Sequence, residues 1–342
     1  MNRFKLTTIL LAITAVVLAI GLLLVGSVSI PAAAVADILG GKSSGNPAWD
    51  FIVVESRLPM IATAAFSGAA LAVCGLLLQT LFANPLASPS ILGISTGSSL
   101  GVAVVTLLLG GSMGALAGAG IGGYAATLAG ALVGALAVMA LLLAFSAIVR
   151  SATMLLIVGI LVSYLTSSAI SLLNFFASQE GVHSYVVWGL GSFSGVTRSQ
   201  LPIFIGLLAA GIVAAWLMTK PLNALLLGIR YAENLGVDIR ATRTRLLLVT
   251  GVLTAVVTAF CGPIGFIGLV VPHIARLMLR TSDHSRLIPA TILGGADIAL
   301  LCTLLSVLPP TGILPINAIT PIIGVPVIIY VILNRRRIFY FN

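Results

Sequence analysis

The chain has 342 residues, 59% of them hydrophobic and only 7% charged, with a mean hydropathy of +1.21 and a net charge of +9. A soluble domain carries about a quarter charged residues, so a water-facing shell is excluded and lipid is the solvent that suits this composition. The basic residues are scattered between apolar runs rather than gathered on one face with aromatics, which excludes a nucleic-acid surface.

Crossing about 30 Å of hydrocarbon takes roughly 20 apolar helical residues at ~1.5 Å each. Ten such runs follow one another, at 6–26, 58–82, 91–110, 121–148, 153–175, 200–219, 245–260, 266–280, 287–307 and 315–333. The first, behind Arg3 and Lys5, has the flanks of a signal peptide, but it is long enough to span and lacks a small-residue cleavage site. It reads as a retained helix. Glycines inside the runs, among them Gly118, Gly122, Gly130 and Gly134, predict faces where helix backbones approach closely. Cys74, Cys261 and Cys302 all sit in apolar context without CxxC spacing and read as buried free thiols.

Ten spans put both ends on one side. With that side cytoplasmic, Arg3, Lys5, Arg150, Lys220, Arg230, Arg240, Arg243, Arg245, Arg276, Arg280, Arg286, Arg335, Arg336 and Arg337 lie inside, and only Lys42, Arg57 and Arg198 lie outside. Asp37, Asp50, Glu55 and Glu180 fall on the outer side with them. A wrong span count would scramble this partition, so it supports the positive-inside topology. Two polar loops stand out, an external stretch from Ser27 to Ser56 and a cytoplasmic stretch from Lys220 to Arg245. In the second, Leu222, Leu225, Leu226 and Ile229 follow an amphipathic i, i+3, i+4, i+7 pattern, and Gly228 and Gly236 mark where short helices bend or stop. A pair of short surface helices is predicted, serving as an interfacial anchor or as a docking surface.

The search for chemistry finds little. Gly41-Lys42-Ser43 ends like a phosphate loop, but Ala36 stands where its first glycine belongs. Gly118-x-Gly120-x-x-Gly123 fits a dinucleotide pattern with no strand before it, so packing is the better reading. HExxH, GxSxG and paired carboxylates are absent. Asp297 alone lies clearly within a span and gives the runner-up reading, a self-contained ion-coupled carrier or channel; a wet cavity or the bundle interior, with hydroxyl or backbone partners, is its expected setting. His183, His273 and His284 are too dispersed to suggest a metal site.

Specific runs then become recognisable. Arg57-Leu58-Pro59, Ser67-Gly68-Ala69-Ala70-Leu71-Ala72, Gln79-Thr80-Leu81-Phe82-Ala83-Asn84-Pro85-Leu86-Ala87-Ser88-Pro89 and Leu92-Gly93-Ile94 resemble the iron-chelate and vitamin B12 ABC importer permeases. A second signature, Gly262-Pro263-Ile264-Gly265-Phe266-Ile267-Gly268-Leu269-Val270-Val271-Pro272-His273-Ile274-Ala275-Arg276, followed by Asp283-His284 and Leu287-Ile288-Pro289, is similar to the same family. So are Trp188-Gly189, the run from Gly191 to Val196, and Leu235-Gly236-Val237.

The resemblance implies an all-α polytopic permease of about ten transmembrane helices. It forms one membrane domain over 1–342 in the bacterial inner membrane and pairs with a second copy or a paralogue around a central pathway. Two ATP-binding-cassette subunits, which carry ATP and Mg, would dock below, and an extracytoplasmic substrate-binding protein above. The chain itself would bind no cofactor or metal and catalyse nothing. The resemblance assigns Leu222, Leu225, Leu226, Ile229, Arg230, Glu233, Leu235 and Gly236, within coupling helices over 220–240, to ATPase coupling. It assigns Asn84, Pro85 and Leu86 with Ser151, Ala152 and Thr153 to a cytoplasmic gate, and Trp188, Ser192 and Ser194 to the pathway lining. On the outer face it makes Arg57 an exposed partner for an acidic residue of the binding protein. Met60 departs from a frequent basic residue, and Cys302 and Ser306 from an aspartate and an arginine, so Lys42 and Arg198 are expected to compensate at the docking surface. The implied cargo is a bulky metal chelate; Ala87-Ser88-Pro89-Ser90, similar to ferric-citrate members, favours a ferric siderophore or haem, with cobalamin as a further possibility.

Overall fold

The computed structural model describes residues 3–108, 123–149, 151–309 and 312–333; Gly118, Gly120, Gly122, Arg150, Arg335, Arg336 and Arg337 lie outside them. Among the described residues there is no strand. In chain order the helices are α1 (Arg3–Leu24), α2 (Ala32–Leu39), α3 (Pro47–Phe51), α4 (Leu58–Leu81), α5 (Ile94–Ala103), α6 (Gly123–Ile148) and α7 (Ala152–Phe176). Then come α8 (Gln179–Gly189), α9 (Leu201–Leu217), α10 (Thr219–Leu225), α11 (Ile229–Asn234), α12 (Ile239–Cys261), α13 (Ile267–Leu279), α14 (His284–Val307) and α15 (Ile316–Leu333). A π-helical stretch, Ile52–Arg57, joins α3 to α4, and another, Val104–Leu108, extends α5.

Each of the ten predicted apolar runs holds one apolar helix. Six are long enough to cross a membrane, namely α1, the continuous Pro47–Leu81 segment, α6, α7, α12 and α14; α9 and α10 make a seventh if the 50° bend between them lies within one span. α5 with its π extension, α13 and α15 are apolar but shorter. Apart from the continuous segment that begins at Pro47 rather than 58, the largest boundary difference is at α12, which starts at Ile239 rather than 245. There the Asp238 carboxylate accepts from the Ala241 amide at 2.9 Å and caps the helix, so Arg240, Arg243 and Arg245 sit on its first turns.

α4 is the axis of the bundle, buried along most of its length and packed against α13 and α14. In lipid no hydrophobic force pulls helices together, so contact depends on how closely their backbones fit. Here they touch: a Cβ on Gly68 would lie 2.2 Å from the Gly295 carbonyl, and one on Gly75 only 1.6 Å from that of Gly268. A second glycine seam joins α5 to α6, where Gly101 faces Gly130 and Gly134 faces Gly97. The predicted packing role of Gly130 and Gly134 therefore holds. The three cysteines are all buried.

Polar contacts at the helix ends respect the partition of charge. Arg3 donates to the Met278 carbonyl at the end of α13, and Arg240 and Arg243 each donate at 2.7 Å to carbonyls at the end of α6. At the other face Arg198 pairs with Glu55 at 2.9 Å. Inside residues meet inside residues, and outside residues meet outside ones.

The glycine seam sets the first prediction. Gly75→Ala forces α4 and α13 apart and costs roughly 1–3 kcal/mol as an overpacked contact. Thermal unfolding in detergent should drop accordingly, whereas Gly206→Ala, where an added Cβ meets nothing within 4 Å, should leave it unchanged. Equal melting temperatures for the two variants would contradict the seam.

Candidate functional site

The polar loop at the cytoplasmic end folds as the expected helix pair, broken at Gly228 (φ +96°) and ended at Gly236 (φ +82°). Both positions use left-handed backbone that glycine adopts freely. The break divides the predicted apolar stripe. Leu222 is fully buried against the feet of the spanning helices, and Leu225 and Leu226 are half-buried. Beyond Gly228 the face turns outward: Ile229, Arg230, Glu233, Leu235 and Gly236 are exposed. Leu222 is thus an anchor of the platform rather than part of its outer surface. Leu227 and Tyr231, which the stripe pattern passes over, are exposed beside Ile229 and Leu235. The signal that would have found them is an apolar residue on the polar side of a glycine break.

α10 is tied to the membrane core through Asn223. Its Nδ2 donates at 2.8 Å to the Asp283 carboxylate, and its Oδ1 accepts at 2.8 Å from the His284 amide. Asp283 also caps α14 through the Ser285 amide at 3.0 Å. Burial alone would push its carboxyl up; hydrogen bonds from Ser285 and Asn223, with Arg286 nearby, outweigh that and hold it below its ordinary value.

The two segments expected to form a gate lie at this same end. Asn84, Pro85 and Leu86 make a turn after α4, in which the Asn84 side chain accepts from the Leu86 amide at 2.9 Å. Ser151 caps α7 by accepting from the Met154 amide at 3.3 Å. Ala152 packs on the apolar cluster that holds Phe82 and Ala87, so both segments rest on one support. Thr153 is exposed. Next to them a cavity of about 500 Å³ is lined by Glu233, Arg240, Arg243 and the end of α6.

On the outer face, Ser192 and Ser194 line a cavity of about 250 Å³ with Met60, Thr303 and Ser306. Trp188 is not among its walls; it packs half-buried beside Val102, Ala131 and Ala259. The loop that carries these serines is fixed by Asn317, which the sequence reading missed. Its amide donates to the Gly189 carbonyl at 3.0 Å and to the Pro263 carbonyl at 2.6 Å.

Three outer positions differ from expectation. Arg57 is buried, and its guanidinium donates to the Leu23 and Val28 carbonyls around the end of α1, with Gly26 leaving room for it. A cation there satisfies carbonyls left open at the helix C-terminus, so Arg57 clamps α1 to α4 and is not exposed for docking. Cys302 is fully buried and Ser306 nearly so, so these departures alter the interior rather than a docking surface. Lys42 and Arg198 are exposed, Arg198 in its pair with Glu55.

Asp297 is also buried, beside Leu11, Ala275, Gly294 and Ile298, and neither carboxyl oxygen has a hydrogen-bond partner. The expected hydroxyl or backbone partners are not there.

A model of the FecCD transport family matches residues 10–334. The vitamin B12 import system permease protein BtuC of Citrobacter koseri is 35% identical over 84% of both chains. The hemin transport system permease protein HmuU of Yersinia pestis is 32% identical over 86% of this chain and 87% of its own. A solved structure described as an inward-facing conformation of a metal-chelate type ABC transporter superposes with a TM-score of 0.82 at 27% identity, covering 96% of this chain and 98% of that one.

The position of Arg57 makes a direct prediction. Arg57→Ala should lower detergent-phase stability by roughly 1.5–3 kcal/mol, the usual worth of hydrogen bonds from a charged donor. Arg198→Ala should change it by less than about 1 kcal/mol, as an exposed ion pair does. Circular dichroism melts of the two variants check both; the reverse order would return Arg57 to the docking surface.

Proposed function

Because the chain belongs to the FecCD transport family, we propose that it is the membrane permease subunit of an ATP-driven importer of bulky metal chelates, of the ferric siderophore, haem or cobalamin class. It works as a pair with a second copy or a paralogue, with the pathway at the interface between the two. Two ATP-binding-cassette subunits carry ATP and Mg on the cytoplasmic side, and a binding protein delivers cargo from outside. The setting is the bacterial inner membrane.

The observation that carries this reading is the outer face of α11. Tyr231 within it and Leu227 and Leu235 at its two ends are exposed beside Arg230, at the cytoplasmic end and beyond the spanning helices, while Ile229 and Glu233 turn to the cavity against the end of α6. Exposed apolar side chains with charged neighbours are the make-up of a protein interface. Movement of a docked ATPase would reach the membrane helices as rigid-body displacement of this pair. The gate is the Asn84-Pro85-Leu86 turn with Ser151, Ala152 and Thr153, whose small and hydroxylated side chains allow narrow closure without holding a ligand. Ser192 and Ser194 line the outer mouth, and Lys42 and Arg198 are the exposed cations for the binding protein.

The test is assembly. Leu227→Asp with Leu235→Asp should abolish co-purification of a co-expressed ABC ATPase while the permease keeps its own melting temperature, because both side chains point away from the core. A double variant that still co-purifies with the ATPase in full would remove α11 from the interface.

A further inference from the structure

Beneath the gate turn lies a run of buried polar side chains that the reading above leaves without a role. Gln79, His273 and His284 are fully buried and Arg276 nearly so, at the cytoplasmic ends of α4, α13 and α14. Such residues are costly in a membrane protein unless each bond is satisfied, so what they bond to is informative.

The bonds fall into three groups joined in series through the backbones of α4 and α13. The Asn223 amide is oriented by giving its NH₂ to the Asp283 carboxylate, which leaves Oδ1 to accept from the His284 amide and from His284 Nδ1, both at 2.8 Å. His284 therefore carries its proton on Nδ1, and its Nε2 accepts from the Thr80 hydroxyl at 2.8 Å, in preference to that hydroxyl's longer contact of 3.1 Å with the Leu76 carbonyl. Gln79, the preceding residue of α4, accepts from Arg276 at 2.5 Å through Oε1 and donates to the Leu269 carbonyl at 3.2 Å. One helical turn before Arg276, His273 Nε2 donates at 2.9 Å to the carbonyl of Pro85, in the middle of the gate turn.

We propose that this path couples α10 to the gate, with His284 and His273 as positioning residues: the first grips the ATPase-side helix and the second grips the turn. The proposal rests on the reading of α10 and α11 as the ATPase platform. Separating any link leaves a buried donor or acceptor unpaired, so joint movement costs less than sliding. Displacement of α10 is thereby passed to the end of α4 and to the Pro85 carbonyl rather than lost in side-chain rearrangement.

The experiment uses Leu86→Cys as a reporter in the gate turn, where the side chain is exposed, against native Cys74, Cys261 and Cys302, which are buried and silent to a polar maleimide. The labelling rate is measured in the full complex with a co-expressed ABC ATPase, with and without ATP and vanadate. With the reporter alone, nucleotide should change the rate by roughly five- to hundredfold, the usual range of site-to-site coupling. Adding His273→Leu should abolish that response while the complex still assembles. His273→Gln, whose amide can donate to the same carbonyl, should restore it. Asn223→Leu, at a half-buried position, should also abolish the response and serves where His273→Leu does not fold.

A full nucleotide response in both leucine variants overturns the inference and leaves the importer reading standing. A complex that hydrolyses ATP without any response at the reporter removes the gate assignment together with the inference. Failure of the permease to assemble with the ATPase at all refutes the importer reading itself.

Discussion

The structure depends on one close contact, the backbone approach of α4 to α13 at Gly75 and Gly268. In hydrocarbon two helices gain nothing from hiding apolar surface, because lipid is as apolar as they are. What holds them is dispersion, which falls off steeply with distance, so fit decides. Removing both side chains brings the carbonyl of one helix to where the Cβ of the other would stand. From that contact outward, the same two helices also meet at Gln79 and Arg276. The helices that carry the two long signatures are thus the two sides of one interface, touching at Gly75 and Gly268 and again at Gln79 and Arg276.

The polar residues are distributed by the same economy. At the outer end Arg57 is spent on the open carbonyls of α1. At the cytoplasmic end Asn223 is spent on the cap of α14, and Asn84 on its own turn. Backbone groups freed where helices end must find partners inside the protein, and these side chains supply them. The side chains left without such partners are exposed on and around α11 and about the serine-lined outer cavity, at opposite ends of the bundle.

Much of this was legible in the sequence, and the reasons differ by feature. Each span is decided by its own composition, so ten apolar runs could be read locally and each contains a helix. Gly228 and Gly236 announced their breaks because glycine is favoured in the backbone that they adopt. The two signatures carried the family, since they are long and ordered along the chain. Contacts between distant segments were not legible. Arg57 meets a carbonyl 34 residues away, and nothing next to it in sequence indicates that; an arginine before a proline-led helix reads equally well as exposed. The stripe from Leu222 to Ile229 fits a single helix by period, but the break at Gly228 takes its last member out of the apolar core and leaves it exposed. Trp188 and Ser192 are near neighbours in the chain yet turn to different clusters, because Gly191 between them has left-handed backbone (φ +73°). Asp297 was seen as unusual, but its lack of partners follows only from which side chains pack around it.

The central claim is that this chain moves a metal chelate and that the energy comes from a bound ATPase. The most direct measurement is uptake into proteoliposomes that contain the permease and its ABC ATPase, with a binding protein and ATP supplied on their proper sides. Haemin, cyanocobalamin and a ferric siderophore are the probes. The account predicts accumulation of one of these chelates only when ATP and the ATPase are both present. Uptake by the permease alone, driven by an ion gradient and indifferent to ATP, would contradict it.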